Sequence, residues 1–244
     1  MDGSRPPRWL LVTDVDETLD GDEEALLRFS EERGPILLVL NSSRPRRSVL
    51  KTLERFPGSL TIDGLVTAMG TQILLEGADV PEWTQRFGGW DRRIVDGLMR
   101  QEGIDPHPDE MQAPFKASFA VPAGRGGELE AKILERLPDT RIILSGESDF
   151  DVVPSAAGKD KATLYVAERL GISPDHLVVA GDSGNDLAMF RAAGKAIAVG
   201  NARPELVDRA DPRRTYFAKA HHAAGILEGL RHWGAPGPAN DPYV

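Results

Sequence analysis

Short apolar runs recur along the chain, each closing on small or acidic residues, and amphipathic stretches fill the gaps. Leu10–Thr13, Ile36–Leu40 and Gly64–Ala68 put apolar side chains at successive positions, as strands covered on both faces do. Leu177–Ala180 and Lys195–Val199 repeat the pattern later. Between the runs, Glu23–Arg33 carries Ala25, Leu26 and Phe29 at helical spacing, and Arg46–Phe56 also reads as a helix. Further helices are predicted from Leu187, over Val207–Ala210 and over Ala223–Leu230. Strands alternating with helices predict a parallel sheet with helices packed on it. From Gly234 onward Gly and Pro predict a loose or disordered tail.

Between Val80 and Pro154 the pattern changes. Trp83, Phe87 and Trp90 come first, then a helix over Arg92–Gln101 and the break Pro106-His107-Pro108. A strand over Lys116–Val121, a helix over Glu128–Arg136 and a strand over Arg141–Leu144 follow. This reads as a small α+β unit, 81–153, inserted into a larger unit formed by 1–80 and 154–244.

A chain of 244 residues is long enough for such a core and insert. Its formal net charge of -9 argues against nonspecific binding to nucleic acid or to an anionic membrane. The basic clusters Arg44-Pro45-Arg46-Arg47 and Arg213-Arg214 are short and read as solvated surface. No cysteine is present, which excludes thiol chemistry and disulfides. No run approaches the roughly 18 apolar residues of a membrane span. Met1–Pro7 lacks the apolar region of a signal peptide, so a cytoplasmic protein is expected.

Four segments carry candidate chemistry. Asp14 and Asp16 follow the first strand and project from one side if the extended geometry persists. Two close carboxylates repel unless a hard cation binds them or they divide the roles of nucleophile and general acid. An ordinary strand-ending turn is the plainer alternative. Asn41-Ser42-Ser43-Arg44 ends the second strand with hydroxyls that suit either a phosphate or a helix cap. Lys159 opens a helix against the macrodipole, which asks for an anion nearby or leaves a solvated charge. Asp182 and Asp186 sit with Gly181, Ser183, Gly184 and Asn185 at a strand-to-helix corner, where open α/β sheets place ligands.

In order and chemistry these segments resemble the haloacid dehalogenase superfamily of phosphohydrolases. The resemblance extends over most of the chain to the sucrose-phosphate phosphatase family. Ala68-Met69-Gly70-Thr71, Pro114–Ser118, Asp149–Pro154, Val199–Leu206 and His222–Glu228 carry it. Asn41-Ser42 and Glu228–Gly234 resemble the mannosylfructose-phosphate phosphatase branch. Two positions depart from the pattern: Glu17 stands where Gly or Asn is usual, and Ser43 where Gly is usual. The first of these puts substrate fit near Glu17 in question.

The resemblance implies an α/β fold, a doubly wound Rossmann-like parallel sheet core with an inserted smaller α+β cap domain. It implies Asp14 as nucleophile, Asp16 as general acid and base, and Lys159 as the neutralising cation. Ser42, Ser43 and Lys159 would hold the phosphate. Asp14, Asp182 and the carbonyl of Asp16 would hold Mg²⁺; Asp186 would hold Lys159 or a metal-bound water, with Asn185 assisting. Thr71, Gln72, Lys116 and Asn201 are the implied sugar contacts. Trp83, Phe87, Trp90 and Phe115 are either ring platforms or core packing. His221 and His222 read as a helix cap or surface pair, although His222 matches the family motif. The implied activity is a Mg²⁺-dependent phosphatase acting on sucrose 6-phosphate. Mannosylfructose 6-phosphate is the alternative substrate; a sugar phosphomutase or another small-molecule phosphatase is more distant. The intact acidic residues and Lys159 oppose a silent sugar-binding module. A monomer acting after a sugar-phosphate synthase is expected.

Overall fold

The computed structural model describes residues 8–146 and 148–237. The expectations for Met1–Pro7 and for the tail from Pro238 lie outside these residues. In chain order the strands are β1 (Leu10–Thr13), β2 (Leu37–Asn41), β3 (Gly64–Thr67), β4 (Gln72–Leu75) and β5 (Ala78–Asp79). They continue with β6 (Ala117–Ala120), β7 (Thr140–Ser145), β8 (Asp149–Pro154), β9 (Leu177–Gly181), β10 (Lys195–Ala198) and β11 (Thr215–Phe217).

Eight strands form one sheet in the order β11-β10-β9-β1-β2-β3-β4-β5. From β11 to β3 neighbours are parallel; β4 and β5 add antiparallel at the edge. Leu10 of β1 lies opposite Leu37 of β2 and Leu177 of β9, so β1 is central. Its side chains alternate between two apolar layers. Leu10 and Val12 pack with Ala162 and Val166 of the helix Lys159–Arg169 and with Met189 of the helix Leu187–Ala192. Leu11 packs with Phe29 of the helix Glu23–Glu32 and Ile226 of the helix His222–His232. Each such buried Leu or Ile favours folding by roughly 1.5–3 kcal/mol over an exposed one.

The second sheet runs β6-β8-β7 and is antiparallel. Phe119 and Phe150 face a third core with Val95, Leu98, Leu129 and Ile133, from the helices Arg92–Gln101 and Gly126–Arg136. The alternating residues Ser118 and Asp151 therefore point the other way, and both line the cleft above β1.

Several local expectations are corrected. The hairpin β4–β5, strand β8 and edge strand β11 went unpredicted. β5 is two exposed residues, and β8 opens on an Asp-Phe-Asp alternation rather than an apolar run. The helix expected over Val207–Ala210 lies over Pro204–Val207, because Pro204 at its first turn pre-sets the helical φ. The first residues of the predicted loose tail are held: the Ala235 N–H donates to the Leu230 carbonyl at 3.0 Å, and Ala235 packs on the second core. Trp83 and Phe87 pack in the first core and Trp90 in the third, so core packing is what these rings do. Trp83 Nε1 donates to the Gly70 carbonyl and Trp90 Nε1 to Thr140 Oγ1. Phe115 is half-buried between those two cores. Among the described residues no helix is long and apolar enough to cross a membrane.

Candidate active site

The Asp14 N–H donates to the Ala180 carbonyl at 3.0 Å, extending the β1–β9 ladder by one bond. This fixes Asp14 at the carboxyl end of the sheet beside Asp182, which follows β9. From β1 the strand order departs in opposite directions, the switch point at which open α/β sheets bind ligands.

Lys159 lies between the acidic residues. Its ammonium donates to Asp14 Oδ1, Asn185 Oδ1 and Asp186 Oδ1, each at 2.7 Å, which uses all three protons. The side chain is 1% exposed. Burial alone would lower its pKa, but the Asp14 and Asp186 carboxylates outweigh burial and hold it raised. These anions account for a cation at the start of a helix.

Asp186 serves the lysine and the loop together. Its Oδ2 accepts the N–H groups of Asp182 and Ser183 at 3.1 and 3.3 Å, and Ser183 caps Asp186 in return. Gly181 makes this approach possible, since a Cβ there would lie 2.5 Å from Asp186 Cγ. Burial raises the Asp186 pKa, with Lys159 opposing. Burial, then the charge of Asp14, pushes Asp182 up to about 6, although the Thr18 hydroxyl donates to it at 3.2 Å.

Asp14, Asp182 and Asp186 each offer a carboxylate oxygen within 4.8 Å of the other two. Of these three buried carboxylates, Asp14 and Asp186 bond the buried Lys159 ammonium, while Asp182 lies 3.7 Å from the half-exposed Arg203 guanidinium. An all-oxygen donor set with excess negative charge fits a hard divalent cation. Asp186 has both oxygens engaged, which leaves Asp14 and Asp182 the better placed donors.

The Asp16 carboxylate stands apart from that cluster. Its Oδ2 is 2.8 Å from Arg44 Nε, but the Nε–H makes no directed hydrogen bond, so the contact is charge pairing. Burial raises the Asp16 pKa, Arg44 opposes, and Asp14 adds to the rise. Ser42 is buried, and its Oγ accepts the Arg44 N–H at 3.1 Å. It is not a helix cap, because the helix Arg46–Leu53 begins after Pro45.

A cleft of about 240 Å³ lies over these residues, with Asp14, Asp16, Asp182 and Ser43 on its floor. The second sheet supplies Ser118 and Asp151, and the turn leading into β6 supplies Lys116, with Met111 beside them. Lys116 Nζ is 3.0 Å from Asp151 Oδ1, which also accepts the Ser118 hydroxyl. A larger groove of about 970 Å³ lies by Arg46, Asp79 and Gln72 and is lined by none of the clustered carboxylates. The chemistry therefore belongs to the smaller cleft.

The structure gathers Asp14, Asp16, Ser43, Lys116, Asp182 and Asn185 at this cleft, with Lys159, Asp186 and Ser42 beneath or beside it. Three expected sugar contacts lie elsewhere. Thr71 is buried and donates to the Ala68 carbonyl at 2.9 Å. Gln72 accepts from Thr67 Oγ1 and faces the larger groove. Asn201 donates to the Glu17 carbonyl at 2.6 Å. Arg44, Asp151, Arg203 and Glu205 line the cleft but were not read as site residues. Arg44, read as solvated surface, pairs with Asp16 and reaches Thr52 Oγ1 at 3.0 Å. Its position directly after Ser42-Ser43 was the available signal.

Solved haloacid dehalogenase-like hydrolases share this fold. The family model of sucrose-6F-phosphate phosphohydrolase matches residues 7–234, so the chain belongs to that family and is a phosphoric monoester hydrolase. It is 36% identical over 244 residues to the mannosylfructose-phosphate phosphatase of Agrobacterium fabrum, covering 93% of this chain and 98% of that protein. To the probable sucrose-phosphatase 2 of Arabidopsis thaliana it is 31% identical over 258 residues, 93% of this chain and 60% of the plant protein. The chain therefore spans about three fifths of that relative's length. The sucrose-phosphatase of Synechocystis, solved with sucrose and phosphate, superposes with a TM-score of 0.83 at 27% identity, covering 94% of this chain and 99% of that one.

Proposed function

We propose that this chain hydrolyses the phosphate monoester of a sucrose-type disaccharide, sucrose 6-phosphate, through an aspartyl phosphate on Asp14. The observation that carries the reading is a buried Asp14–Lys159–Asp182 cluster at a strand-end switch point, roofed by a polar sheet that presents Lys116. Synechocystis sucrose-phosphatase was solved with sucrose and phosphate, the two products of such a hydrolysis. The near full-length likeness to mannosylfructose-phosphate phosphatase favours mannosylfructose 6-phosphate as a second reading. Phosphate release across both disaccharide phosphates, fructose 6-phosphate and unrelated esters tests the choice. Rates that are no higher on either disaccharide phosphate than on fructose 6-phosphate reject the disaccharide assignment.

Asp14 attacks phosphorus, and the P–O bond to the sugar breaks. Asp16 gives its proton to the leaving sugar oxygen, then takes one from the water that hydrolyses the acyl phosphate. Lys159 stays charged and offsets the charge gathering on the phosphoryl oxygens. Ser42 and Ser43 shape the loop that receives those oxygens. Mg²⁺, held by Asp14 and Asp182 with the Asp16 carbonyl, supplies charge neutralisation when bound. The inserted unit 81–153 acts as the cap that selects the sugar. The same reading has a cytoplasmic monomer working after a sugar-phosphate synthase.

Two predictions follow from these roles. Millimolar Mg²⁺ should raise the melting temperature of metal-free protein, because it relieves repulsion among buried carboxylates. Asp182→Asn should remove most of that rise; an equal rise in the variant would reject Asp182 as a ligand. Lys116→Ala should lower kcat/KM for the disaccharide phosphate roughly 10- to 150-fold, the loss expected for a charged hydrogen-bond donor. p-Nitrophenyl phosphate, which has no sugar, should lose little. Equal losses on the two esters would mean that unpairing Asp151 has disordered the second sheet.

A further inference from the structure

After β1 the chain turns sharply: the N–H groups of Thr18, Leu19 and Asp20 all reach the Val15 carbonyl, at 3.4, 3.0 and 2.8 Å. The turn forces Glu17 to a φ of 57°, a left-handed conformation unfavourable for a residue with a side chain. The family pattern has Gly or Asn here, the residues that tolerate it. What holds Glu17 in place is external. Its carbonyl accepts two hydrogen bonds, from Asn201 Nδ2 at 2.6 Å and from His222 Nδ1 at 3.1 Å. A carbonyl only accepts, so Nδ1 carries the hydrogen. Asn201 Oδ1 accepts the His222 N–H at 3.0 Å, which fixes the two side chains to each other. His222 is itself left-handed, with a φ of 50°. Gly21 leaves space for its ring, since a Cβ there would lie 2.5 Å from His222 Cε1 and Nδ1.

Three parts of the fold thus meet at one carbonyl oxygen: the loop after β1, the loop after β10 and the start of the helix His222–His232. On one side of Glu17 is Asp16; on the other is Thr18, whose hydroxyl reaches Asp182. We propose that Asn201 and His222 are positioning residues that clamp the left-handed Glu17 turn and thereby set Asp16 against Asp14. They act through Glu17 and touch neither phosphate nor sugar; neither lines the cleft. The inference rests on Asp16 as the proton-transfer group.

The test uses three esters. A simple alkyl phosphate such as glycerol 2-phosphate needs a proton on its leaving group but offers no sugar contact. p-Nitrophenyl phosphate needs little protonation. The disaccharide phosphate adds the sugar. Asn201→Asp removes the donor to Glu17 and keeps the acceptor for His222. It should lower kcat on the alkyl ester and the disaccharide phosphate by roughly tenfold relative to the aryl ester, the loss of about one well-made hydrogen bond. Adding Glu17→Gly should restore most of it, because glycine holds the turn without outside donors. His222→Ala should behave like Asn201→Asp. A loss confined to the disaccharide phosphate would make Asn201 a sugar contact and overturn the inference. Equal losses on all three esters, or no restoration by Glu17→Gly, would overturn it as well. Asp16→Asn separates the two readings. If it leaves the alkyl-to-aryl ratio unmoved, the role of Asp16 falls and this inference with it. If it moves the ratio and Asn201→Asp does not, this inference alone falls.

Discussion

Asp14→Asn should abolish phosphate release while leaving the fold intact. The carboxylate is the attacking group, and an amide of the same shape cannot form the acyl phosphate. Loss of a covalent nucleophile costs on the order of 10⁴-fold or more in kcat. Stability should change little, for a reason specific to this site. Asp14 lies close to two other buried carboxylates, so removing its negative charge also removes repulsion with Asp182 and Asp186. Lys159 keeps Asp186 and Asn185 as acceptors. Thermal unfolding and steady-state turnover measured on one preparation decide the matter. Turnover within tenfold of wild type would sink Asp14 as the nucleophile; a collapsed melting temperature would leave the rate uninterpretable, and Asp14→Glu, with its reach changed and its charge kept, would then be the variant to measure.

Lys159→Met should damage both properties, in contrast to Asp14→Asn. The ammonium is 1% exposed and serves three acceptors, so a thioether of similar length leaves Asp14 and Asp186 buried without their cation. Breaking one partner of a buried ion pair costs about 3 kcal/mol, softened here because the Asp186 carboxyl is already pushed toward its neutral form. Removing the charge that faces the phosphoryl group should cost on the order of 10³-fold in kcat. Urea unfolding and turnover read the two effects separately. A variant as stable as the parent would mean that the cluster tolerates an unpaired carboxylate. A variant within tenfold of parental activity would mean that Lys159 only braces the fold. Lys159→Arg tests geometry instead: charge is kept, but a planar fork cannot meet three acceptors set for a point charge, so most activity should still be lost.

Much of this was legible in the chain. β1, β2, β9 and β10 are continuous apolar runs because strands inside a parallel sheet are covered on both faces, a pattern that local reading detects. The acids follow those runs directly, so Asp14 and Asp182 came with their strands. Lys159 and Asp186 stood out as a cation and an acid at helix starts, where the macrodipole makes a cation conspicuous. Their mutual contact was expected from the family resemblance alone: 27 residues separate them, and only the packing of neighbouring strand-helix corners joins them.

The residues read poorly are those whose role depends on which face a side chain takes. Gln72 and Thr71 stand at the turn into the antiparallel strand β4, and that turn sends them away from the cleft. Asn201 reads as a strand-end polar residue free to meet a ligand, but its amide is spent on the Glu17 carbonyl, 184 residues earlier. Trp83 and Phe87 look like ring platforms by composition; the first core takes them instead, because burying a large ring is favourable wherever a pocket for it exists. Asp151 was invisible as a site residue within its Asp-Phe-Asp run until the register of β8 against β6 put it beside Ser118, facing the cleft. By itself the sequence determined the parallel core, the strand ends that hold the acids and the presence of an insert. Those follow from hydrophobic periodicity and from chemistry local to a few residues. Only the tertiary structure decided which polar side chains turn toward the cleft and which brace the loops behind it. That choice depends on sheet register and on long-range hydrogen bonds, and no local pattern encodes either.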